Sequence, residues 1–175
     1  MDPQPHENLA ALIGRLTALI DRQLSPGDVA ALRRSRPDSI DAPAFWRIAA
    51  AELVDSLEPD GPRRDEGEHR WAVILQAMAE LRGLHNPRRS LGAALADAEV
   101  AEHRVLRLLR ASADGLFDAV RIIAHHLATK GVSFNCTDLA WLVLSDGRSD
   151  EESVRRRIAR NYYSTQSSKE ARTAS

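Results

Sequence analysis

The sequence predicts an all-α protein, a compact helical bundle of about eight or nine helices in two packed halves. Three observations carry that prediction. Apolar residues recur at helical spacing almost throughout, no segment shows the sustained β-branched alternation of a strand, and Ala and Leu are abundant while aromatic residues make up only 5% of the chain. Proline, glycine and small capping residues then divide the pattern into helix-sized pieces.

The first helix spans roughly 7–24, with Leu9, Leu12, Ile13, Leu16, Leu19 and Ile20 on one side. Ser25-Pro26-Gly27-Asp28 stops it and starts a short helix through Arg33 and Arg34. From Pro43 a helix carrying Phe45, Trp46, Ile48, Leu53, Val54 and Leu57 runs to about Glu58, where Pro59-Asp60-Gly61-Pro62 ends it; the charged stretch through Gly67 is the expected flexible loop. A helix over 68–84 follows, ended by Gly83 and Asn86-Pro87, and Ser90 caps a short one through Ala96. Further helices are expected over 98–111, 114–129, 138–144 and 150–163. Ala113-Asp114-Gly115, Lys130-Gly131 and Asp146-Gly147-Arg148 separate them. The polar end from Ser164 reads as disordered, which gives an N-terminal helical half at 1–85, a C-terminal half at 86–165 and a tail at 166–175.

Composition narrows the function. With 24 Lys+Arg against 25 Asp+Glu the chain is no bulk basic nucleic-acid binder, and no uninterrupted apolar run exceeds six residues, so no membrane span is expected. The start Met1-Asp2-Pro3-Gln4-Pro5 lacks the features of a signal peptide and Cys136 is the single cysteine, which together point to the cytoplasm. The basic residues are 22 Arg and 2 Lys, and they are unevenly placed: residues 1–99 carry 12 basic and 16 acidic groups, for −4, and residues 100–175 carry 12 and 9, for +3. An anion belongs on the C-terminal part.

Two helices there present Arg away from their apolar stripes. At about 100° per residue, Ala98, Val105, Leu108 and Leu109 centre one apolar face and leave His103, Arg107 and Arg110 opposite, with Arg104 on a flank. On the last helix Val154, Ile158 and Tyr162 lie inward, Arg156, Arg160 and Tyr163 outward, and Arg155 and Arg157 on the borders. Arginines at helical spacing suit the regular charge of a phosphate backbone, and an exposed tyrosine suits a base. The same pattern fits solvated charges pairing with Glu99, Glu102, Glu151 and Glu152. Metal chemistry has less support. Glu66-Gly67-Glu68-His69 is the only Glu-x-x-His motif, and His125 and His126 diverge by about 100° and read as core or boundary residues. No phosphate loop or nucleophile motif occurs, so neither an enzyme, a metal nor a cofactor is expected. Trp46, Trp71 and Trp141 read as core.

The C-terminal half resembles the CasB family, the small subunit of the type I-E CRISPR Cascade complex. The resemblance rests on an ordered series: Leu84-His85; Ser90 to Ala96; Glu102-His103-Arg104-Val105-Leu106-Arg107-Leu108-Leu109; Lys130-Gly131-Val132 with Asp138-Leu139; and Val154 to Tyr163. It covers about 27–163, more weakly at Leu32-Arg33-Arg34 and Phe45-Trp46. Ile158 and Asn161 stand where the family usually has Trp and Asp, and the loop after Leu144 lacks a Trp.

The resemblance implies a non-catalytic helical subunit, paired as a homodimer within the complex, with the other Cascade subunits, guide RNA and target DNA as partners. Such a subunit contacts phosphate backbone without reading sequence, and it stabilises the R-loop and the displaced strand in antiviral defence. Arg104, Arg156, Arg157 and Arg160 match basic positions of the family motifs, and Arg33 and Arg34 match more loosely. Helical projection prefers Arg107 and Arg110 for the backbone contact, which leaves Arg104 partly to packing or a subunit contact. The alternative is a helical protein–protein adaptor that binds no nucleic acid; a helix-turn-helix regulator lacks a recognition pair, because 25–36 is short and bounded by proline.

Overall fold

A computed structural model describes residues 5–36, 39–57 and 61–173, and the chain divides into two compact units, 1–83 and 84–175. Among the described residues there are nine α-helices and no strand.

In the first unit, α1 (Pro5–Arg22) buries Leu9, Leu12, Ile13, Leu16 and Ile20, an interval of three to four residues that sets one face inward. Ser25 caps α2 (Pro26–Arg34), its hydroxyl oxygen accepting the Asp28 N–H at 3.1 Å, with proline in the first turn where no N–H is needed. The Asp28 carboxylate accepts from the Ser25 hydroxyl at 2.9 Å and from Arg47 at 2.6 Å. Those two hydrogen bonds, that from Ser25 the larger, hold its pKa below the usual carboxylate value. α3 (Pro43–Glu52) is shorter than the expected helix to Glu58: a 3-10 turn, Val54–Ser56, follows it, and residues 58–60 lie outside the described residues.

α4 (Pro62–Glu80) starts six residues ahead of the expected position, so 62–67 is helix where a loop is expected. The cause is local. Gly61 turns the chain at φ 94°, Pro62 enters at a preset helical φ, and the i,i+4 pairs Arg64–Glu68 and Glu66–Arg70 support the first turns. From Trp71 to Ala79 every residue of α4 is buried. The one strongly polar side chain in that run, Gln76, is satisfied by donating to the carbonyls of Arg33 (3.0 Å) and Ser35 (2.8 Å), which anchors the end of α2. Trp46 departs from the core assignment: it is 46% exposed, packed edge-on against Phe45, with its indole N–H donated to the Ile40 carbonyl. Trp71 is buried and Trp141 partly so.

The second unit holds α5 (Leu91–Asp97), α6 (Glu102–Arg110), α7 (Ala113–Lys130), α8 (Cys136–Leu144) and α9 (Glu151–Thr173). Ser90 caps α5 as expected, and Asp138 of α8 accepts the Leu91 N–H. α5 packs chiefly on α9. Gly92 makes that approach possible, because a Cβ there would lie 2.2 Å from the Ile158 carbonyl oxygen. α6 begins at Glu102 rather than near Ala98. The Val100 N–H returns to the Leu95 carbonyl (3.0 Å) with Glu99 at φ 56°, a left-handed closure of α5 that interrupts the helical run. Gly131, at φ 64°, closes α7 in the same hand.

Val154, Ile158 and Tyr162 face the core from α9. The buried Tyr162 hydroxyl donates to the Val100 carbonyl (2.8 Å) and accepts from Gln166 (2.7 Å). Tyr162→Phe is expected to lower stability by about 1–2 kcal/mol, read as an earlier urea midpoint with an unchanged slope, because both bonds are lost and the one to Val100 is buried. An unaltered midpoint would show that the hydroxyl contributes nothing. α9 also continues to Thr173, where the sequence reading places a disordered tail from 166. Lys169 fastens the extra turns to α5 through the Ala96 carbonyl (2.8 Å) and Asp97 (3.3 Å), and Gln166 ties them back within α9 to the Tyr162 hydroxyl. Residues 174–175 lie outside the described residues.

Candidate nucleic-acid interface

Burial of Val105 and Leu108 turns the other side of α6 to solvent, and Arg104, Arg107 and Arg110 stand exposed there at successive turns. None of the three forms an ion pair with a described residue, and Arg104 is exposed like the other two. Arg107 and Arg110 line an open groove of about 770 Å³ between α6 and α7. Its floor includes Leu106, Ala119 and Ile122, and its rim adds His103, Arg121 and Asp118. Arg121 and Asp118 are joined at 3.2 Å.

Arg155, Arg156, Arg157 and Arg160 of α9 have separate situations, because about 100° of rotation separates each residue of a helix from the next. Arg155 is only 12% exposed and turns into the unit. Its guanidinium donates to the carbonyls of Leu109 (2.9 Å) and Ala111 (2.6 Å) at the end of α6, and it pairs with Asp146 (3.1 Å) and Glu151 (2.9 Å). Arg156 is exposed and held by Glu152 at 2.7 Å. Arg157, partly buried, lies 3.7 Å from Asp138. Arg160 is exposed with no ion pair among the described residues.

Tyr163 is exposed, as projected, yet anchored. Its hydroxyl donates to Glu102 at 2.7 Å, and its ring meets that of Tyr162 edge-on at 5.2 Å. The Glu102 hydrogen bond first, then burial, raises the phenol pKa, while the nearby charge of Arg110 acts against them. α6 and α9 thus bring Glu102, Arg110 and Tyr163 together. In the first unit Arg34 is exposed without an ion pair to a described residue, whereas Arg33 donates to the Ala79 carbonyl at 2.9 Å and lies 3.5 Å from Glu80, at the end of α4.

Three participants, Arg155, Arg121 and Ile122, escape the sequence reading. Arg155 looks like one member of a run of three, and nothing along the chain marks Leu109, Ala111 and Asp146 as its partners. Arg121 and Ile122 belong to a helix read for its core; projecting Asp114, Asp118, Arg121 and His125 onto one exposed side would have found the cation. Elsewhere His126, half-buried, meets the Ala98 carbonyl at 3.0 Å, and His125 is exposed rather than core. Glu66 of the Glu-x-x-His motif holds Arg70. Among the described residues no three His, Cys, Asp or Glu side chains are grouped as metal ligands, and no helix is long and apolar enough to cross a membrane.

Fold and surface together define an all-helical protein whose available polar chemistry is guanidinium groups standing on helix faces. Within that class the chain belongs to the CRISPR-associated protein Cse2 family, which is the CasB family of type I-E Cascade: the family profile matches residues 28–163. Two solved structures are similar to it. A chain of the crystal structure of Escherichia coli Cascade bound to a PAM-containing dsDNA target is 21% identical, with a TM-score of 0.64 over 95% of this chain and 99% of that one. A chain described as part of a CRISPR RNA-guided surveillance complex is also 21% identical, with a TM-score of 0.64 over 97% and 99%. No curated protein matches.

Proposed function

We propose that this protein is the non-catalytic small subunit of a type I-E Cascade surveillance complex in the cytoplasm. In this reading it holds guide RNA and target DNA by their phosphate backbones, without sequence preference, and steadies the R-loop and its displaced strand in antiviral defence. The observation that carries the reading is the row Arg104, Arg107 and Arg110 on α6, three exposed guanidinium groups at helical intervals without acidic partners among the described residues. Arg160 and Arg34 extend the set of free cations, and Arg156 and Arg157 join it once a phosphate displaces Glu152 or competes with Asp138. Arg33 contributes only the part of its side chain not bound to α4.

Three points support a backbone clamp. Guanidinium forks match phosphate geometry, a component that serves any guide must avoid base edges, and R-loop formation is close enough to balance that a few contacts tip it. The family assignment supports assembly with other Cascade subunits, and a homodimer within that complex is part of the same proposal.

The test is fluorescence anisotropy of the full-length protein with labelled single-stranded DNA and RNA at several salt concentrations. The double reversal Arg107→Glu/Arg110→Glu is expected to weaken binding at least about tenfold at low salt. It should also flatten the log–log salt slope by about 0.7 for each contact removed. Arg156→Glu/Arg160→Glu should act in the same direction with helix content unchanged. Unchanged affinity in both variants would reject these faces. Binding to the Cascade backbone subunits with no affinity for either strand would identify a protein adaptor instead.

A further inference from the structure

We propose that the groove between α6 and α7 receives an unstacked base of a single strand, with the phosphates on either side of that base resting on Arg107 and Arg110. The inference rests on the backbone-binding reading and adds what that reading leaves open, namely which form of nucleic acid the surface prefers. A surface made only for phosphate needs cations and water. This one has an apolar floor: Ile122 is 39% exposed, one of four large hydrophobic residues left open among the described residues, and it faces the groove beside Leu106 and Ala119.

An aliphatic floor under a cationic rim fits a nucleotide, whose base is flat and largely apolar on its faces while its backbone carries charge. At about 770 Å³ the groove falls among clefts that hold small molecules, roughly 300–1,000 Å³. The one carboxylate on the rim, Asp118, is joined to Arg121, which limits its repulsion of a phosphate. Arg110, which lines the groove, is also close enough to the exposed Tyr163 for its charge to act on the phenol. Alternation of cation and flat or apolar surface is the pattern that follows a single strand. A duplex keeps its bases stacked inside and offers the groove only phosphate.

The experiment compares the full-length protein on three labelled probes of equal length: a mixed-sequence single-stranded DNA, the same strand with every base replaced by an abasic site, and the duplex. Net charge is the same for the first two, so their difference isolates the bases. The based strand is expected to bind about tenfold more tightly than the abasic one. Ile122→Ser is expected to remove that advantage while leaving abasic binding unchanged, and Arg107→Glu/Arg110→Glu to weaken both. Ile122 is exposed, so its loss leaves the core intact, which circular dichroism checks. Equal affinity for based and abasic strands would overturn the groove proposal and leave backbone binding standing. No affinity for any strand would overturn both. An acidic, leucine-containing peptide that binds as tightly as the based strand, and is lost with Ile122→Ser, would reassign the groove to a protein partner.

Discussion

Replacing Gly92 with alanine is expected to destabilise the second unit by about 3 kcal/mol or more, a large share of the stability of a unit this size. The added Cβ would meet the Ile158 carbonyl oxygen at 2.2 Å and the Asn161 Cβ and Tyr162 nitrogen at 2.8 Å. These are mostly backbone atoms of a continuous helix, so no side chain can swing aside and α5 must move off α9. Gly14→Ala makes the natural control. A Cβ at Gly14 meets nothing within 4 Å, so the same change in α1 should stabilise by about 0.5–1 kcal/mol through helix propensity alone. Thermal or urea unfolding followed by circular dichroism reads both. Equal small shifts of one sign would show that the crossing tolerates a methyl group.

The second large effect is expected at Arg155. Truncation to alanine removes donors from the Leu109 and Ala111 carbonyls and leaves the Asp146 carboxylate, only 6% exposed, with the Ala113 N–H as its remaining partner. Breaking one side of a buried ion pair costs about 3–5 kcal/mol, because the charge that stays behind is unsolvated. Arg155→Lys should recover only part of the loss, since an ammonium cannot span two carbonyls and a carboxylate as the planar fork does. Asp146→Asn in the Arg155→Ala background should recover more, by removing the stranded charge. The double-mutant cycle in urea measures the coupling. A coupling near zero would mean that Arg155 acts by packing alone.

These two residues also mark where sequence reading stops. Periodicity and caps place most of the helices because both are local: Ser25, Ser90 and Gly131 act on neighbours within a turn. Gly92 and Arg155 take their meaning from atoms far along the chain, at Ile158, Leu109, Ala111 and Asp146. The same holds for the C-terminal turns of α9, whose sequence is polar enough to read as a tail but which are held to α5 by Lys169. The early start of α4 is local as well, but Gly61 and Pro62, which open the helix, belong to a run of proline and glycine that reads as a break. At the candidate interface, exposure of Arg107 and Arg110 follows from projecting a single amphipathic helix, whereas Arg104, projected onto a flank, is exposed as well. The groove does not follow, because Ile122 and Arg121 join it only when α7 is laid beside α6.

The guanidinium and ammonium groups fall into two populations, and ionic strength separates them. Arg33, Arg155 and Lys169 donate to main-chain carbonyls at the ends of α4, α6 and α5, at distances of 2.6–2.9 Å. Arg82 does the same for the Asp21 carbonyl near the end of α1 at 2.8 Å. Ions of the medium compete poorly for such short contacts, whereas the exposed row on α6 lies open to screening. Moderate salt should therefore strip a bound strand from the protein long before it loosens the helices, so a salt wash becomes a gentle, reversible way to empty the surface. The arginine-rich composition accordingly overstates the charge available to a ligand, because part of it serves as internal bracing.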